Sequence, residues 1–121
     1  MTPEEWVRQH LLMFLTEHCR VPKGLIGVEK EIRINRMPKR FDALVYDRAQ
    51  RPLILVECKA PSVEIGQDVF DQAARYNLLL KVPFFLISNG MDTLFCRINH
   101  DSGIYEFLGE IPFYDQLILD V

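Results

Sequence analysis

Three ionisable residues, Asp42, Glu57 and Lys59, have the types and the spacing that can hold a metal ion and act on a phosphate. Asp42 and Glu57 lie in two apolar runs joined by a polar connection, a pattern typical of an antiparallel hairpin. If Tyr46 pairs with Leu53, Asp42 lies directly opposite Glu57, with Cβ atoms ~4.5 to 5.5 Å apart, where two like charges are destabilising unless a cation lies between them. The hairpin therefore predicts a divalent-cation site. Mg²⁺, with Mn²⁺ as a substitute, is the expected ion because hard cations take carboxylate oxygens and keep several waters.

Lys59 follows Glu57 by two residues, so the alternation of a strand places both side chains on one face. A lysine beside a bound metal can orient or deprotonate an attacking water and stabilise charge on a phosphate oxygen, as phosphodiester hydrolysis requires. An acid-any-lysine triplet also arises by chance, often as a surface ion pair. Here the triplet follows four aliphatic residues, 53–56. A strand with so many apolar residues has no structural reason to end in two charged ones.

Helix and strand patterns on both sides of this hairpin must position it. A helix start at Thr2-Pro3-Glu4-Glu5, with Thr2 as N-cap, predicts a helix over 3–19. The other predicted elements are strands at 25–34, 41–46, 53–59, 83–88, 91–98 and a last short piece at 104–108, a polar turn at 35–39, a helix at 67–81, an Asn89-Gly90 turn and a piece after Pro112. The order α-β-β-β-α-β-β indicates an α/β (α+β) fold with a central mixed sheet of about five strands flanked by helices, in one domain over 1–121.

Two of the predicted strands differ in their burial patterns. In the first, Ile26, Val28, Ile32 and Ile34 share one parity while charged residues occupy the other, which predicts a half-buried strand. The run 53–59 is apolar on both parities, which predicts a central strand.

Composition narrows the class of protein. The chain has 121 residues, of which 49% are hydrophobic and 26% charged, the balance of a globular domain. No apolar run approaches the ~20 residues that cross a bilayer, so we expect a cytoplasmic protein without membrane contact. Three cysteines without a CxxC pattern are expected to be reduced thiols. The sequence has no Gly-rich phosphate loop, GxSxG or HExxH, which excludes the usual NTPases, serine hydrolases and zinc proteases.

The net charge of −3 argues against tight nucleic-acid binding through bulk electrostatics. The segment 30–40 differs, because five cations there stand against one acid, Glu31: Lys30, Arg33, Arg36, Lys39 and Arg40. Two interpretations remain open for this local basic stretch: charges that guard a strand edge, or a contact for a polyanion.

Asp42, fourteen intervening residues and then Glu57-Cys58-Lys59 resemble the PD-(D/E)xK nuclease signature, with Phe41 where many members carry proline. A wider likeness covers nearly all of the chain through the stretches 3–12, 28–31, 55–61 and 72–77. In these the chain resembles the N-terminal nuclease domain of type I restriction enzyme R subunits and the stand-alone bacterial proteins of that group. The resemblance implies a restriction-endonuclease-like core.

The resemblance also implies a role for each matched residue. Asp42 and Glu57 match the metal-binding acids, the backbone carbonyl of Cys58 offers a further oxygen ligand, and Lys59 matches the catalytic lysine. Gln72 and Tyr76 match a Q-x-x-x-Y element, whose amide and phenol, four residues apart on a helix, can together reach a DNA phosphate or steady the lysine. The alternative for this pair is a core aromatic and a solvated amide.

Nucleases of this fold often place a glutamate of the first helix near the metal, and Glu4, Glu5 and Glu17 are the candidates, although Glu5 already has a capping role. The expected function is Mg²⁺-dependent hydrolysis of phosphodiester bonds in nucleic acid, with DNA as the first expectation. The alternatives are a catalytically inactive nucleic-acid-binding or assembly module of the same fold and an RNA-cutting toxin or antiphage component. A homodimer or a partner protein would supply the DNA affinity that the net charge withholds.

Overall fold

A computed structural model describes residues 1–34 and 36–120. The elements are α1 (Pro3–Glu17), a 3₁₀ turn (Lys23–Leu25), β1 (Ile26–Ile34), β2 (Met37–Tyr46), β3 (Pro52–Cys58), α2 (Gln67–Leu80), β4 (Phe84–Ser88), β5 (Thr93–Asn99), β6 (Ile104–Leu108) and α3 (Tyr114–Leu119). The predicted mixed α/β order is confirmed. The sheet has six strands rather than about five, because the short segment β6 pairs with β5 along its whole length.

The six strands lie side by side in chain order in one sheet. Neighbours are antiparallel except for β3 and β4, which are parallel. Parallel neighbours need a crossover connection, and α2 provides it. The carboxyl ends of the two central strands, at Cys58 and Ser88, therefore lie next to each other at one edge of the sheet.

Helices cover both faces of the sheet. We call the face under α1 and α3 the α1 face, and the opposite one, under α2, the α2 face. The core residues that the helices contribute are Val7, Leu11, Leu15, Tyr114 and Leu117 on the α1 face, and Phe70 and Ala74 on the α2 face. Every residue of β3 after Pro52 is buried, which confirms the prediction of a central strand.

The pairing at the start of the β2–β3 hairpin differs from our prediction. Tyr46 pairs with Pro52 rather than with Leu53, because a bulge shifts the register by one residue beside the turn. Ala43 nevertheless pairs with Val56, as the predicted register requires. The described β2–β3 pairing ends there, one residue before the two predicted acids, Asp42 and Glu57.

The alternation predicted for β1 is wrong, because the strand changes face in its middle. Glu29 has a φ of 53°, in the left-handed region that residues other than glycine rarely adopt. Ile26 packs in the core of the α1 face and Ile32 in that of the α2 face, while Val28 is 45% exposed. One parity therefore does not correspond to one face.

The predicted turn at 35–39 is shorter in the structure. Asn35 and the side chain of Ile34 lie outside the described residues, and β2 already begins at Met37, the partner of Ile34. The two long helices end slightly earlier than predicted; α2 stops at Leu80 because Lys81 takes a φ of 57°. No helix in the described part of the chain is long and apolar enough to span a membrane.

Candidate active site

A cavity of about 340 Å³ lies at the carboxyl end of β3, between the sheet and α2. Four predicted site residues line it, together with Glu4, Lys39 and several apolar side chains: Glu57, Lys59, Gln72 and Tyr76. Ligands of open α/β sheets bind at the carboxyl ends of the strands. The fold therefore gathers residues of α1, β2, β3 and α2 where such a sheet places its ligand.

Glu57 is the buried acid of this cavity. The residue is 8% exposed, and its Oε1 has no hydrogen-bond partner among the described residues. Burial, followed by the negative charge of Asp42, raises the pKa of Glu57 to about 7, because removal from water disfavours the charged form. A buried polar atom without a partner is costly, so a proton or a cation at this oxygen would stabilise the folded protein.

Asp42 lies beside Glu57 but is held by the backbone. Its Oδ2 accepts a hydrogen bond of 2.7 Å from the N–H of Cys58. As far as the structure describes the chain, Asp42 is not among the residues that line the cavity. Its charge still raises the pKa of Glu57, so the two carboxylates are close enough to repel each other.

Cys58 and Lys59 point to opposite sides of the sheet. The thiol of Cys58 packs in the core of the α1 face, and burial raises its pKa to about 12, so only the backbone carbonyl of this residue is a candidate ligand. Lys59 is half-buried and lines the cavity, where its positive charge lowers the pKa of Glu57. The N–H of Lys59 donates to the carbonyl of Ser88 at 2.8 Å, which extends the β3–β4 pairing by one residue and orients the lysine.

Gln72 and Tyr76 both line the cavity from α2, as expected for positions four apart on a helix. Gln72 is exposed, and Tyr76 is half-buried against the core of the α2 face. The Nζ of Lys39 lies 4.8 Å from the centre of the Tyr76 ring and 5.7 Å from that of Phe41, within the range of a cation–π contact. Tyr76 thus belongs both to the core and to the cavity.

Lys39 is a site residue that our sequence analysis missed. The sequence pattern places Lys39 in a polar turn, whereas in the structure it lies in β2 and lines the cavity. Its charge lowers the pKa of Glu57, as that of Lys59 does. Alternation along the strand gave no signal for this placement, because Phe41 packs on the α2 face and Ala43 on the α1 face, so β2 changes face between them.

Among the three first-helix acids, Glu4 is the one at the cavity. It lines the cavity, and its charge contributes to the raised pKa of Glu57. The N–H of Glu5 donates the predicted capping hydrogen bond to the Thr2 hydroxyl, at 3.1 Å. Glu17 ends α1, 13 positions after Glu4, and does not line the cavity in the described part of the chain.

The donors at this cavity fit a hard cation. Over the residues that the structure describes, no group of three or more His, Cys, Asp or Glu side chains could hold a metal ion. The carboxylates that line the cavity are those of Glu57 and Glu4, with Asp42 beside Glu57, and no Cys or His is among the described lining residues. This donor set suits Mg²⁺, because that ion keeps several waters and uses few protein ligands. The unpartnered Oε1 of Glu57 is the oxygen that such an ion would satisfy.

A solved structure of similar fold is the fragment of a protein assigned as the HsdR subunit of a type I restriction enzyme from Vibrio vulnificus YJ016. The two superpose with a TM-score of 0.67 over 96% of this chain and 24% of that one, at 20% sequence identity. At this identity the likeness concerns the fold.

The sequence itself is similar to the type I restriction enzyme EcoAI endonuclease subunit of Escherichia coli, with 30% identity over 81 residues. The match covers 67% of this chain and 10% of that much longer protein. Residues 3–112 match the family described as the type I restriction enzyme R protein N terminus. On this match, which takes in the hairpin, the cavity and both long helices, the chain belongs to the family of type I restriction enzyme R protein N-terminal domains.

Proposed function

We propose that this chain is a Mg²⁺-dependent nuclease domain that hydrolyses phosphodiester bonds of DNA. The observation that carries the proposal is the buried, unpartnered Oε1 of Glu57 in a cavity that also holds Lys59. A carboxylate that costs stability in the free protein is typical of a site whose ligand completes it. The EcoAI relative is named an endonuclease subunit, which supports the same chemistry.

Glu57, Asp42 and the carbonyl of Cys58 are the groups that would hold the ion. When bound, Mg²⁺ supplies Lewis-acid polarisation of the phosphate and activation of water. Asp42 has a second task in the protein itself, since its Oδ2 holds the N–H of Cys58 and thereby sets the end of β3. Loss of Asp42 would therefore affect both the charge and the placement of Glu57.

Lys59 would orient the attacking water and stabilise the charge that develops on the phosphate. Its ammonium is held in the half-buried wall of the cavity, where a charge interacts more strongly than in bulk water. Gln72 and Tyr76 would position the phosphate from α2, through an amide and a phenol that face the same cavity. These roles assign one task to each wall of the site.

DNA is the proposed substrate because the family and its named relatives belong to restriction enzymes. The chain spans 10% of the length of the curated relative and 24% of that of the solved one. Because the net charge of −3 opposes binding to DNA, a partner protein or a second copy would add to the DNA affinity of this chain.

Cleavage of supercoiled plasmid by purified protein in Mg²⁺ or Mn²⁺ tests the proposal. We expect Glu57→Ala, Asp42→Ala and Lys59→Ala each to reduce the rate by about 10³-fold. Glu64→Gln, an exposed acid of the loop before α2, is the control and should cleave like the wild type. Activity that survives all three alanine changes would overturn the assignment.

A second candidate is a module of the same fold that binds without turnover. The observation in its favour is the commitment of Asp42 to the amide of Cys58, away from the cavity lining. Calorimetric titration with Mg²⁺ separates the two, because a module without turnover should give no binding heat that depends on Glu57. An active nuclease should give such a heat in the wild type and lose it in Glu57→Gln.

A further inference from the structure

The β1–β2 hairpin extends past the rest of the sheet next to the cavity. The β2–β3 ladder runs only from Ala43 to Tyr46, whereas the β1–β2 ladder continues to the pair of Ile34 and Met37. Residues 30–34 and 36–41 therefore form a two-stranded ribbon beyond the carboxyl end of β3, and we call this ribbon the arm. The base of the arm lies at Asp42, where the candidate site begins.

The charge of the chain is divided sharply between the arm and the remainder. Five of the 14 lysines and arginines, but one of the 17 acids, lie within residues 30–40, so this segment carries +4 while the other 110 residues carry −7. In the described part of the chain, none of these five cations is in a salt bridge. A concentrated cationic element on an acidic body is the electrostatic footprint of a polyanion-binding surface.

The cations occupy both faces of the arm. Lys30 and Lys39 are the cross-strand partners of Phe41 and Ile32, two apolar residues of the α2 face, and so they point to the cavity side. The aliphatic stem of Lys30 fills the space that a side chain at Gly27 would take, which lays it along this inner face. Arg33 and Arg40 have the opposite parity and point outward, and Arg36 lies at the tip.

Lys39 links the arm to the candidate site. Its Nζ lies over the ring of Tyr76, and the side chain lines the cavity with Glu57 and Lys59. Protection of a strand edge does not explain this placement, since Lys39 is half-buried and its ammonium lies over the Tyr76 ring at the cavity rather than along the free edge of the strand. A phosphate held by Lys39 would thus adjoin the phosphate that reacts.

We infer that the arm binds the phosphate backbone of double-stranded DNA on one side of the cavity, with Lys39 as its innermost phosphate contact. This inference rests on the proposed nuclease function for its substrate. A duplex suits the arm because the major groove of B-DNA admits a two-stranded β-ribbon, and cations on both faces of the ribbon then meet phosphates of both strands. The arm supplies the local affinity that the net charge of the chain opposes.

Three double variants, each removing two positive charges, test the inference by fluorescence anisotropy on a labelled DNA duplex in EDTA, where binding is measured without cleavage. They are the inner pair Lys30→Gln/Lys39→Gln, the outer pair Arg33→Gln/Arg40→Gln and the control pair Lys23→Gln/Lys81→Gln. The control cations are exposed and lie toward the opposite end of the sheet. Thermal melts establish that each variant is folded.

We expect the inner and outer pairs each to weaken binding about tenfold, and to reduce the slope of log K against log[KCl] by about 2, while the control pair leaves both unchanged. Inner and outer variants that bind like the control pair would overturn the inference, as would a wild type that does not bind duplex at about 50 mM KCl. If the cations only guard the edge of β1, the outer pair should self-associate on gel filtration with DNA binding intact, which also overturns it.

The cleavage assay separates this inference from the proposed function. If the wild type cleaves plasmid and the arm variants cleave and bind as well as the control pair, the proposed nuclease function is retained and the proposed role of the arm is rejected. If the arm variants lose binding while the wild type shows no metal-dependent cleavage, the arm stands and the nuclease fails. Single-stranded DNA that binds as tightly as duplex would contradict the assignment to the major groove.

Discussion

An acidic residue lies at each end of the β2–β3 hairpin, and the two differ in how many hydrogen-bond partners their carboxylates have. At the turn, Oδ1 of Asp47 accepts hydrogen bonds from the N–H groups of Ala49 and Arg51, both at 2.9 Å, and Oδ2 accepts one from the Arg51 guanidinium at 3.0 Å. The backbone hydrogen bond from Arg51 is the main cause that lowers the pKa of Asp47. At the open end, burial raises the pKa of Glu57 to about 7, and its Oε1 has no partner among the described residues.

This contrast teaches that the unsatisfied acid, rather than the larger space, marks a candidate site. A cavity of about 580 Å³ lies beside Asp47, and one of about 340 Å³ lies beside Glu57. Asp47 already has its partners and serves to close the turn. Glu57 is held without enough partners by the strands around it, which is the arrangement that a ligand-binding acid requires.

The largest expected effect comes from removing the charge of Glu57 alone. Glu57→Gln should abolish Mg²⁺ binding and reduce DNA cleavage by about 10³-fold or more. It should also raise the thermal stability of the metal-free protein at pH 8, because a buried charge is replaced by a neutral group of similar size. Cleavage assays check the expected loss of activity, and thermal melts in EDTA check the expected gain of stability. A Glu57→Gln variant that melts well below the wild type would show that Glu57 is a structural acid like Asp47.

The pH dependence of stability should have opposite signs for the two acids. Because the folded-state pKa of Glu57 lies near 7, above its ordinary value of 4.5, the folded protein binds more protons between these values. Its stability contribution is then fully present below about pH 4.5 and is lost as the pH rises to about 7, a change of about 3 kcal/mol. The lowered pKa of Asp47 acts in the other direction, with stability lost as the pH falls through it.

Urea unfolding in EDTA between pH 4.5 and 8 measures this dependence. Subtracting the Glu57→Gln profile from that of the wild type isolates the contribution of Glu57. A difference that does not change across this range would contradict the raised pKa. Saturating Mg²⁺ should stabilise the wild type at pH 8, where Glu57 is ionised, and leave the Gln variant unchanged.

Asp47→Ala should have a smaller effect, and on stability only. The change removes the acceptor of two backbone N–H groups and the partner of Arg51, so the melting temperature should fall while cleavage per folded molecule is retained. The melting temperature of Asp47→Asn, which keeps the Oδ1 acceptor, should fall less than that of Asp47→Ala. A loss of turnover in Asp47→Ala at a temperature where the variant is folded would remove the distinction between the two ends of the hairpin.

The smallest effect is expected for the thiol of Cys58. Burial raises the pKa of both Cys58 and Cys96 to about 12, so neither thiol should react with iodoacetamide at pH 8 in the native protein, and both should react after unfolding. Cys58→Ala should leave cleavage within about threefold of the wild type, since only the backbone carbonyl of the residue is a candidate ligand. A large loss of activity without loss of fold would place the thiol in the site.

The sequence by itself determined the order of the elements, the burial of β3 on both of its faces, and the register in which Ala43 pairs with Val56. These follow from local patterns of period two and from turn chemistry, which act over a few residues. It also predicted that Gln72 and Tyr76 share a face of α2, because helical spacing places residues four apart together.

Only the tertiary structure decided which distant residues join this group. Glu4 and Lys39 line the cavity because α1 and the β1–β2 hairpin pack beside β3, and no local period relates them to Glu57. The left-handed backbone at Glu29 changes the face of β1, and a bulge changes the pairing of Tyr46, where local alternation predicted regular strands. The hydrogen bond from Cys58 to Asp42 depends likewise on two strands meeting in space. Packing and backbone hydrogen bonding between distant segments overrode the local pattern at these positions, because their free energy is shared by the whole sheet.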